Sequence, residues 1–415
     1  MVQVLEHSEL TSLYQGVIVT LQELINYQGF TAKIHFELEG CFVPAQSHRG
    51  AVSFDGVNRK LQYLGIDGNV IPEYWRNQWE FVSEFNGQTP LKEAQNLAKL
   101  ITLLPELFKQ ENIGDVLIKP VVWSGDKGQL APECHNIFTQ DNRAIHIPNA
   151  IQLNISVWNS LSNENLLVDE EFGALLQLIL MLRSRDCSLL FFPEEEAFAR
   201  FSLKTQYGLD RELCSPSDIS GGHQGSIALY RQWGKHNQPM GVKTLLVSTD
   251  NDALISQQDW HLTTRIEHRL GASSVFYNPY SNVIFALLCV IEALNESKRE
   301  ANKHTGAATQ EFMLPSSLYD TTERQHCAGE YAEGNDKGLG AISLFINNSW
   351  FIKSIDDALA CHTDILPHSR RSIIQQQYHG INSKRLDTFK ASKLSVGEQV
   401  HQGILAPYMP ATIMT

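Results

Sequence analysis

The stretch that decides the fold is Arg265-Ile-Glu-His-Arg-Leu-Gly-Ala-Ser-Ser-Val-Phe-Tyr-Asn-Pro-Tyr280. Its first part alternates with a period of two, as a β-strand does, so that Arg265, Glu267 and Arg269 share one face. A carboxylate between two guanidinium groups can hold a metal ion and clamp anionic substrates, because arginine forms paired hydrogen bonds with carboxylates and phosphates. A cross-strand ladder of salt bridges is the alternative for this segment taken alone.

Two earlier segments also place acids on one face of a predicted strand, Phe36-Glu-Leu-Glu39 and Asn77-Gln-Trp-Glu80. Glu37 and Glu39 point the same way, and two adjacent carboxylates repel each other unless a cation or a proton lies between them. Donor sets made only of oxygen suit Mg²⁺ or Mn²⁺. A solvated strand face is the plainer alternative for the first segment by itself.

Composition and motifs exclude several classes of protein. The formal net charge of −13 and the lack of any basic run argue against a nucleic-acid partner. The acidic balance suits a site that collects carboxylates around metal ions, and it equally suits plain solubility. The sequence contains no G-x-x-x-x-G-K-S/T, G-x-G-x-x-G, H-E-x-x-H or G-x-S-x-G motif, so a nucleotide site must use another architecture.

The sequence favours a cytoplasmic protein without a membrane partner. The seven cysteines form no C-x-x-C pair, which indicates reduced thiols. The most apolar run, Val283 to Val290, is far shorter than the roughly 20 residues of a membrane span. Met1 to Leu10 lacks the basic-then-apolar order of a signal peptide.

The periodicity of apolar residues predicts an irregular alternation of helices and strands, which favours a mixed or antiparallel sheet. Helices are predicted for Leu10 to Ile25, Leu91 to Phe108, Glu170 to Arg183 and Val283 to Leu294, and strands for Thr31 to Gly40, Asp115 to Trp123, Ile145 to Trp158, Lys243 to Val247 and Thr263 to Leu270. Ser124 to Arg143 and Leu203 to Gly225 are predicted loops, Asn295 to Gln310 a hydrophilic linker, and Ile355 to Lys393 a mostly helical tail.

Arg265-Ile-Glu-His-Arg269 followed by Asn278-Pro-Tyr280 resembles the R-I-E-x-R and N-P-Y signature of glutamine synthetases. In the family's order, Glu37 and Glu39 match its E-x-E strand, Gln78 and Glu80 with Glu73 upstream match its G-Q-x-E segment, and Lys119-Pro120 matches its K-P strand. Phe192-Pro-Glu-Glu-Glu-Ala-Phe-Ala-Arg200 resembles the family's N-P-x-x-N-S-Y-K-R. The resemblance spans about Thr31 to Glu296.

The resemblance implies binding of ATP and of two divalent ions, Mg²⁺ or Mn²⁺. Glu39, Glu73 and Glu80 would bind the first ion, and Glu37 and Glu267 the second. Arg200 and Arg269 would hold a carboxylate substrate, and Arg265 would face the phosphates of ATP.

Several positions depart from the family pattern. Gln152 stands where the family has a histidine ligand of the second ion, and Asn154 replaces the next histidine. An amide oxygen is a neutral donor, so we expect a weaker second site. His223 and Ala228 stand in place of two arginines that neutralise the transferred phosphate. The family's flap glutamate falls near Gln206 or Asp210, and neither is assigned a role.

The fold implied is α+β, a curved antiparallel sheet of the glutamine synthetase and guanido kinase type with helices on its convex face. We predict an N-terminal helix in residues 1–30, a catalytic domain in 31–300, and a helical C-terminal extension of the same domain in 301–415. The family's small N-terminal sheet domain has no room before Thr31, which leaves a homo-oligomer open but puts ring assembly in doubt.

The function implied is that of an ATP-dependent ligase, which joins glutamate or a related acid to ammonia or an organic amine through an acyl phosphate. The alternative is a catalytically impaired relative that binds a nucleotide or an amino acid and serves a regulatory role. A phosphotransferase of the phosphagen kinase type is a minor third option, because it has the related fold without support from the sequence.

Overall fold

The computed structural model describes residues 7–45, 52–73, 75, 77–84, 87–123, 146–198, 226–230, 264–300, 314–320, 339–365 and 394–409. Within these residues, an open antiparallel sheet of seven strands carries helices on one face. The predicted α+β class with an antiparallel sheet is therefore confirmed.

The strands run in the order β2-β3-β1-β7-β9-β8, and β4 also pairs with the end of β1. Their bounds are β1 Phe30–Pro44, β2 Gly68–Pro72, β3 Gln78–Ser83, β4 Gly114–Leu117, β7 Ala150–Asn159, β8 Ile227–Tyr230 and β9 Arg265–Ala272. A separate two-stranded sheet joins β5 Val121–Trp123 to β6 His146–Pro148. Each pairing is antiparallel.

The helices of the described residues are α1 His7–Tyr27, α2 Asp55–Tyr63, α3 Pro90–Gln110, α4 Glu170–Ser184, α5 Pro279–Glu300, α6 Ala341–Ile346, α7 Ser349–Ile365 and α8 Val396–Leu405. Their ends follow local chemistry. The side chain of Thr89 accepts a hydrogen bond from the backbone of Lys92, directly before Pro90 opens α3. After α1, Gly29 takes a φ of 89°, a conformation that glycine adopts without strain.

Alternation along the strands gives the sheet one apolar face. The side chains of Ile34, Phe36 and Leu38 on β1 are at most 1% exposed, and they share one core with Leu153 of β7. Helices α1, α3 and α5 pack against β1, and α4 packs against β8 and β9. The same core takes in side chains of α7 and α8, and the division at residue 300 stays a prediction.

A β-bulge interrupts the pairing of β7 with β9. Ile151 lies opposite Gly271, whereas Leu153 lies opposite His268, so β9 has one extra residue opposite Gln152. A Cβ atom on Gly271 would lie 2.3 Å from the carbonyl oxygen of Ile151. Only glycine therefore lets the two strands approach so closely at this point.

The predicted elements are largely present, with two errors. Asp115 to Trp123 divides into β4 and β5, because Pro120 has no N–H for a sheet ladder. The linker predicted from Asn295 is wrong at its start, since α5 continues to Glu300. The sequence patterns also gave no indication of α2, β2 and β8.

Three predicted elements lie outside the described residues: the loops Ser124 to Arg143 and Leu203 to Gly225, and the strand Lys243 to Val247. Of the predicted helical tail, residues 355–365 belong to α7 and residues 366–393 are also outside. In the described part of the chain, no helix is long and apolar enough to cross a membrane.

Replacing a leucine in the core of the sheet tests this architecture. Leu153 is 1% exposed between β1 and β9, and Leu161 is 96% exposed in the turn that follows β7. We expect Leu153→Ala to lower the free energy of unfolding by about 2–5 kcal/mol, because it leaves a cavity. Leu161→Ala, the matched control, should change it by less than about 0.5 kcal/mol in the same urea titration. Equal effects would contradict the packing described.

Candidate active site

The second face of the large sheet is polar across its central strands. The register places Glu39 opposite Glu80, Glu37 opposite Gln152, and Asn154 opposite Glu267. Ala228 of β8 pairs with Glu267 from the other side. Strand pairing therefore brings acids and amides from distant parts of the sequence into one continuous surface.

One part of this face, which we call the acid half, consists of Glu37, Glu39, Glu73 and Glu80. The pKa of Glu80 is raised well above its usual range by burial and by the charges of the other three acids. Burial, together with the charge of Glu267, raises the pKa of Glu37 to about 7. Glu37 and Glu80 lie close enough for each to affect the pKa of the other. Two adjacent carboxylates repel each other when both are ionised, so a proton or a cation between them is favoured.

Glu39 is held by groups of β7. The backbone N–H of Ala150 donates to its Oε2 at 2.7 Å, and Nε2 of Gln152 donates to its Oε1 at 3.2 Å. Gln152 is only 9% exposed, and within the described structure its Oε1 is buried without a hydrogen-bond partner. An amide oxygen left in this state is costly, so it marks a place where a donor or a cation is expected.

The other part of the face, the arginine half, consists of Arg265, Glu267 and Arg269 on β9. Nη2 of Arg265 donates to Oε1 of Glu267 at 2.5 Å, while Nε and Nη2 of Arg269 donate to its Oε2 at 2.9 and 2.8 Å. Burial alone would raise the pKa of Glu267, but the two guanidinium groups lower it to about 2. The glutamate is therefore ionised and paired at neutral pH.

Two further side chains hold the arginine half in place. Asn154 donates from Nδ2 to Oε1 of Glu37 at 3.2 Å and accepts from Nε of Arg265 at 2.9 Å, which joins the two halves. The Arg265 guanidinium lies 4.7 Å from the ring centroid of Tyr230, whose hydroxyl accepts a hydrogen bond from Arg269. Tyr230 could not be predicted from the sequence, because a lone tyrosine in a four-residue strand carries no pattern.

The two halves differ in how well their side chains could bind a metal ion. In the conformation described, no group of three or more His, Cys, Asp or Glu side chains of the described residues is arranged to hold one. The acid half nevertheless offers oxygen donors only, and a divalent ion could replace the proton between Glu37 and Glu80. In the arginine half, both oxygens of Glu267 already accept hydrogen bonds from guanidinium groups, so it does not fit a metal ion as it stands.

This chain resembles a protein of known structure in its fold. No protein-family model matches the sequence, and no curated protein does. The structure matches the crystal structure of a novel glutamine synthase homolog with a TM-score of 0.52 and 12% identity, over 94% of this chain and 74% of that chain. The chain has a glutamine synthetase-like fold. This confirms the fold inferred from the sequence resemblance.

Two structures of GmaS also match, one without ligand and one in a complex with ADP. Their TM-scores are 0.47 and 0.48, with 11% and 12% identity, over 93% and 88% of this chain and 76% and 78% of those chains. These lower scores add nothing to the assignment of the fold.

Most residues predicted for the site lie on the same polar face of the glutamine synthetase-like sheet. Glu37, Glu39, Glu80, Gln152, Arg265, Glu267 and Arg269 belong to its strands, and Glu73 follows β2 with its backbone N–H bonded to the carbonyl of Gln78. Arg200, His223, Gln206 and Asp210 lie outside the described residues. The metal, substrate and phosphate roles of all these residues stay predictions.

The rest of the sequence signature has a structural role. Oδ1 of Asn278 accepts hydrogen bonds from the backbone of Tyr280 and Ser281, so it caps the first turn of α5. Lys119-Pro120 anchors Asn149, whose side chain donates to the Lys119 carbonyl and whose backbone N–H donates to the Pro120 carbonyl. Because Asn149 directly precedes β7, the Lys119-Pro120 segment fixes the start of that strand.

A second pair of buried titratable groups lies near the acid half. Nδ1 of His35, two residues before Glu37, is 4.0 Å from Oε2 of Glu93 on α3. Burial raises the pKa of Glu93 to about 8, and burial, with Lys33 and Arg265, lowers the pKa of His35 to about 3. Both groups are therefore neutral at pH 7 and do not form an ion pair.

Removing the charge of Glu267 should destabilise the protein strongly. Glu267→Gln keeps the shape of the side chain but leaves two buried guanidinium groups without their carboxylate, which we expect to cost about 3–5 kcal/mol of unfolding free energy. The control is Asp357→Asn, in an exposed pair with Lys353 whose side chains are 61% and 70% exposed. That change should cost less than about 1 kcal/mol in the same urea titration. A cost for Glu267→Gln as small as the control's would contradict the pairing.

Glu93 should make stability fall as the pH rises. Its pKa in the folded protein is about 8 against an ordinary 4.5, so the folded state holds the extra proton between these values. The resulting stability is complete below pH 4.5 and is lost as the pH rises through 8, with a slope of up to about 1.4 kcal/mol per pH unit.

Glu93→Gln cannot titrate, so unfolding measured at pH 5, 6, 7 and 8 should show a smaller slope than in the unchanged protein. The comparison cancels the contributions of groups common to both proteins, including His35, Asp67 and Lys92 near Glu93. Parallel pH profiles would contradict a neutral Glu93.

Proposed function

We propose that this protein is an ATP-dependent carboxylate–amine ligase. The observation that carries the proposal is the pairing, on one face of the sheet, of a buried acid half with an arginine half. The same positions carry the sequence resemblance to glutamine synthetases, and the match to a glutamine synthase homolog supports the fold that this chemistry uses.

The proposed reaction activates a carboxylate before an amine attacks it. An oxygen of the carboxylate of glutamate or a related acid attacks the γ-phosphorus of ATP, ADP leaves, and an acyl phosphate results. The nitrogen of ammonia or an organic amine then attacks the acyl carbon, phosphate leaves, and the nitrogen loses a proton. The partners are therefore small molecules: an amino acid, an amine and ATP.

The acid half is the proposed site of a divalent ion, Mg²⁺ or Mn²⁺. When bound, such an ion neutralises phosphate charge and orients the transfer. Glu39, Glu73 and Glu80 are the proposed ligands. Because Ala150 and Gln152 fix both oxygens of Glu39, this carboxylate is held in one orientation.

The arginine half supplies positive charge at a fixed place. Glu267 and Tyr230 hold Arg265 and Arg269 in defined orientations, so little reorganisation is needed when an anion arrives. We assign the phosphates of ATP to Arg265, and the substrate carboxylate to Arg269 together with Arg200.

A regulatory protein that binds a nucleotide or an amino acid without turnover is the second candidate. One observation favours it: Ala228, which lies directly opposite Glu267, stands where the resemblance expects an arginine. Loss of such a cation lowers the rate of phosphoryl transfer by several powers of ten. Nucleotide binding by calorimetry without release of phosphate would support this candidate.

Release of phosphate from ATP tests the ligase. The protein is incubated with Mg²⁺ or Mn²⁺, ATP and glutamate, with ammonia, methylamine or a polyamine as the acceptor. We expect phosphate and an amide product with at least one acceptor. Glu80→Gln should lower kcat at least about a hundredfold, since it removes a charge that holds the ion.

The control for this variant is Asp115→Asn, whose side chain is 72% exposed on β4. It should leave kcat unchanged within about twofold. No phosphate release with any acceptor, from protein that binds ATP, would reject the ligase in favour of the regulatory candidate.

A further inference from the structure

The two halves of the polar face differ in charge. The arginine half brings two guanidinium groups to one carboxylate, so it carries a net positive charge when all three are ionised. The acid half brings together four carboxyl groups, and Glu39 lies directly opposite Glu80 on the neighbouring strand. A divalent cation is therefore attracted to one half and repelled from the other.

Glu267 is already neutralised. It is 3% exposed, and its two oxygens accept three hydrogen bonds from Arg265 and Arg269 at 2.5, 2.9 and 2.8 Å. A metal ion at this carboxylate would have to displace at least one buried guanidinium group. That group would lose its hydrogen bonds to the carboxylate and its stacking on Tyr230.

Asn154 favours the same outcome. Its side-chain oxygen accepts from Nε of Arg265 and its amide nitrogen donates to Glu37, so the positive charge of Arg265 is tied to the acid half through one amide. The guanidinium group of Arg265 therefore already supplies a positive charge where the two halves meet.

The side chain of Gln152 lies on the acid side of the boundary between the two halves. Its amide nitrogen lies 3.2 Å from Oε1 of Glu39, so the amide group is placed against the acid half. Its carbonyl oxygen is buried and has no hydrogen-bond partner within the described residues, although the side chain is 9% exposed. A neutral oxygen donor beside several carboxylates is a typical ligand for a hard divalent ion.

We propose that this protein binds a single divalent cation in the acid half, with Oε1 of Gln152 as a ligand beside Glu39 and Glu80, and that Arg265 provides the charge of a second cation. This rests on the metal site of the proposed ligase. The sequence resemblance implies two ions, with Gln152 at the second of them. The proposal has one ion, and Gln152 is one of its ligands.

Titration with Mn²⁺ tests the number of ions. The full-length protein, freed of metal with a chelator, is titrated while free Mn²⁺ is followed by electron paramagnetic resonance and heat by calorimetry. We expect one ion per chain, and Glu80→Gln should raise the Kd at least tenfold. Asp115→Asn, with its exposed carboxylate, should leave the Kd within twofold.

Two variants of Gln152 test its role as a ligand. Gln152→Leu removes the oxygen and should raise the Kd at least tenfold, whereas Gln152→Glu keeps an oxygen donor and should bind Mn²⁺ at least as tightly as the unchanged protein. Each variant is first compared with the unchanged protein by thermal unfolding without metal. If Gln152→Leu does not fold, the number of Mn²⁺ ions per chain and the Kd of Gln152→Glu still test the proposal.

The outcomes separate the inference from the proposed function. Two ions per chain of similar affinity would overturn the inference and leave the ligase standing. No binding of Mn²⁺ would overturn both. One ion whose Kd is unchanged in Gln152→Leu but raised tenfold in Glu267→Gln would place it in the arginine half, and would overturn the inference alone.

Discussion

A carboxylate buried on β9, between β7 and β8 of the open sheet, is the constraint on which the site depends. An ionised Glu267 at 3% exposure would be costly without partners, and the two arginines that pair with it come from the same strand. A spacing of two residues is enough to place all three groups on one face. The residues of the positive half therefore come from the five positions Arg265 to Arg269, and Asn154 and Tyr230 of neighbouring strands hold them in place.

The negative half has no such local origin. Strand patterns in the sequence showed that Glu37 and Glu39 share a face and singled out the segment that contains Glu80, and resemblance added Glu73. That Glu39 lies directly opposite Glu80 depends on the register between β1 and β3, which no short pattern contains. The polar character of the face was predictable from the sequence, while the contacts across it were not.

The errors in the prediction have two physical origins, a local break in a strand and contacts between distant residues. A single strand from Asp115 to Trp123 fits the pattern of apolar residues, yet Pro120 cannot donate to a ladder and the chain turns there. Asn154 was noted only as a lost histidine, although its amide joins Glu37 to Arg265. No pattern in the sequence indicated a role for Tyr230, which binds Arg269 through its hydroxyl. For Asn154 and Tyr230 the partners are distant in sequence, so local periodicity has no access to them.

The extra residue in β9 affects how the sequence can be compared with its relatives. On one side of the bulge the two strands pair in one register, and beyond it the register is shifted by one residue. Gln152 lies at the point of change. Where a relative lacks the extra residue, an alignment of β9 without a gap will equate residues that occupy different places in space on one side of the bulge. For such members of this fold, the equivalents of Glu267 and of Gly271 cannot both be found by counting along the strand, and superposing the strands identifies them.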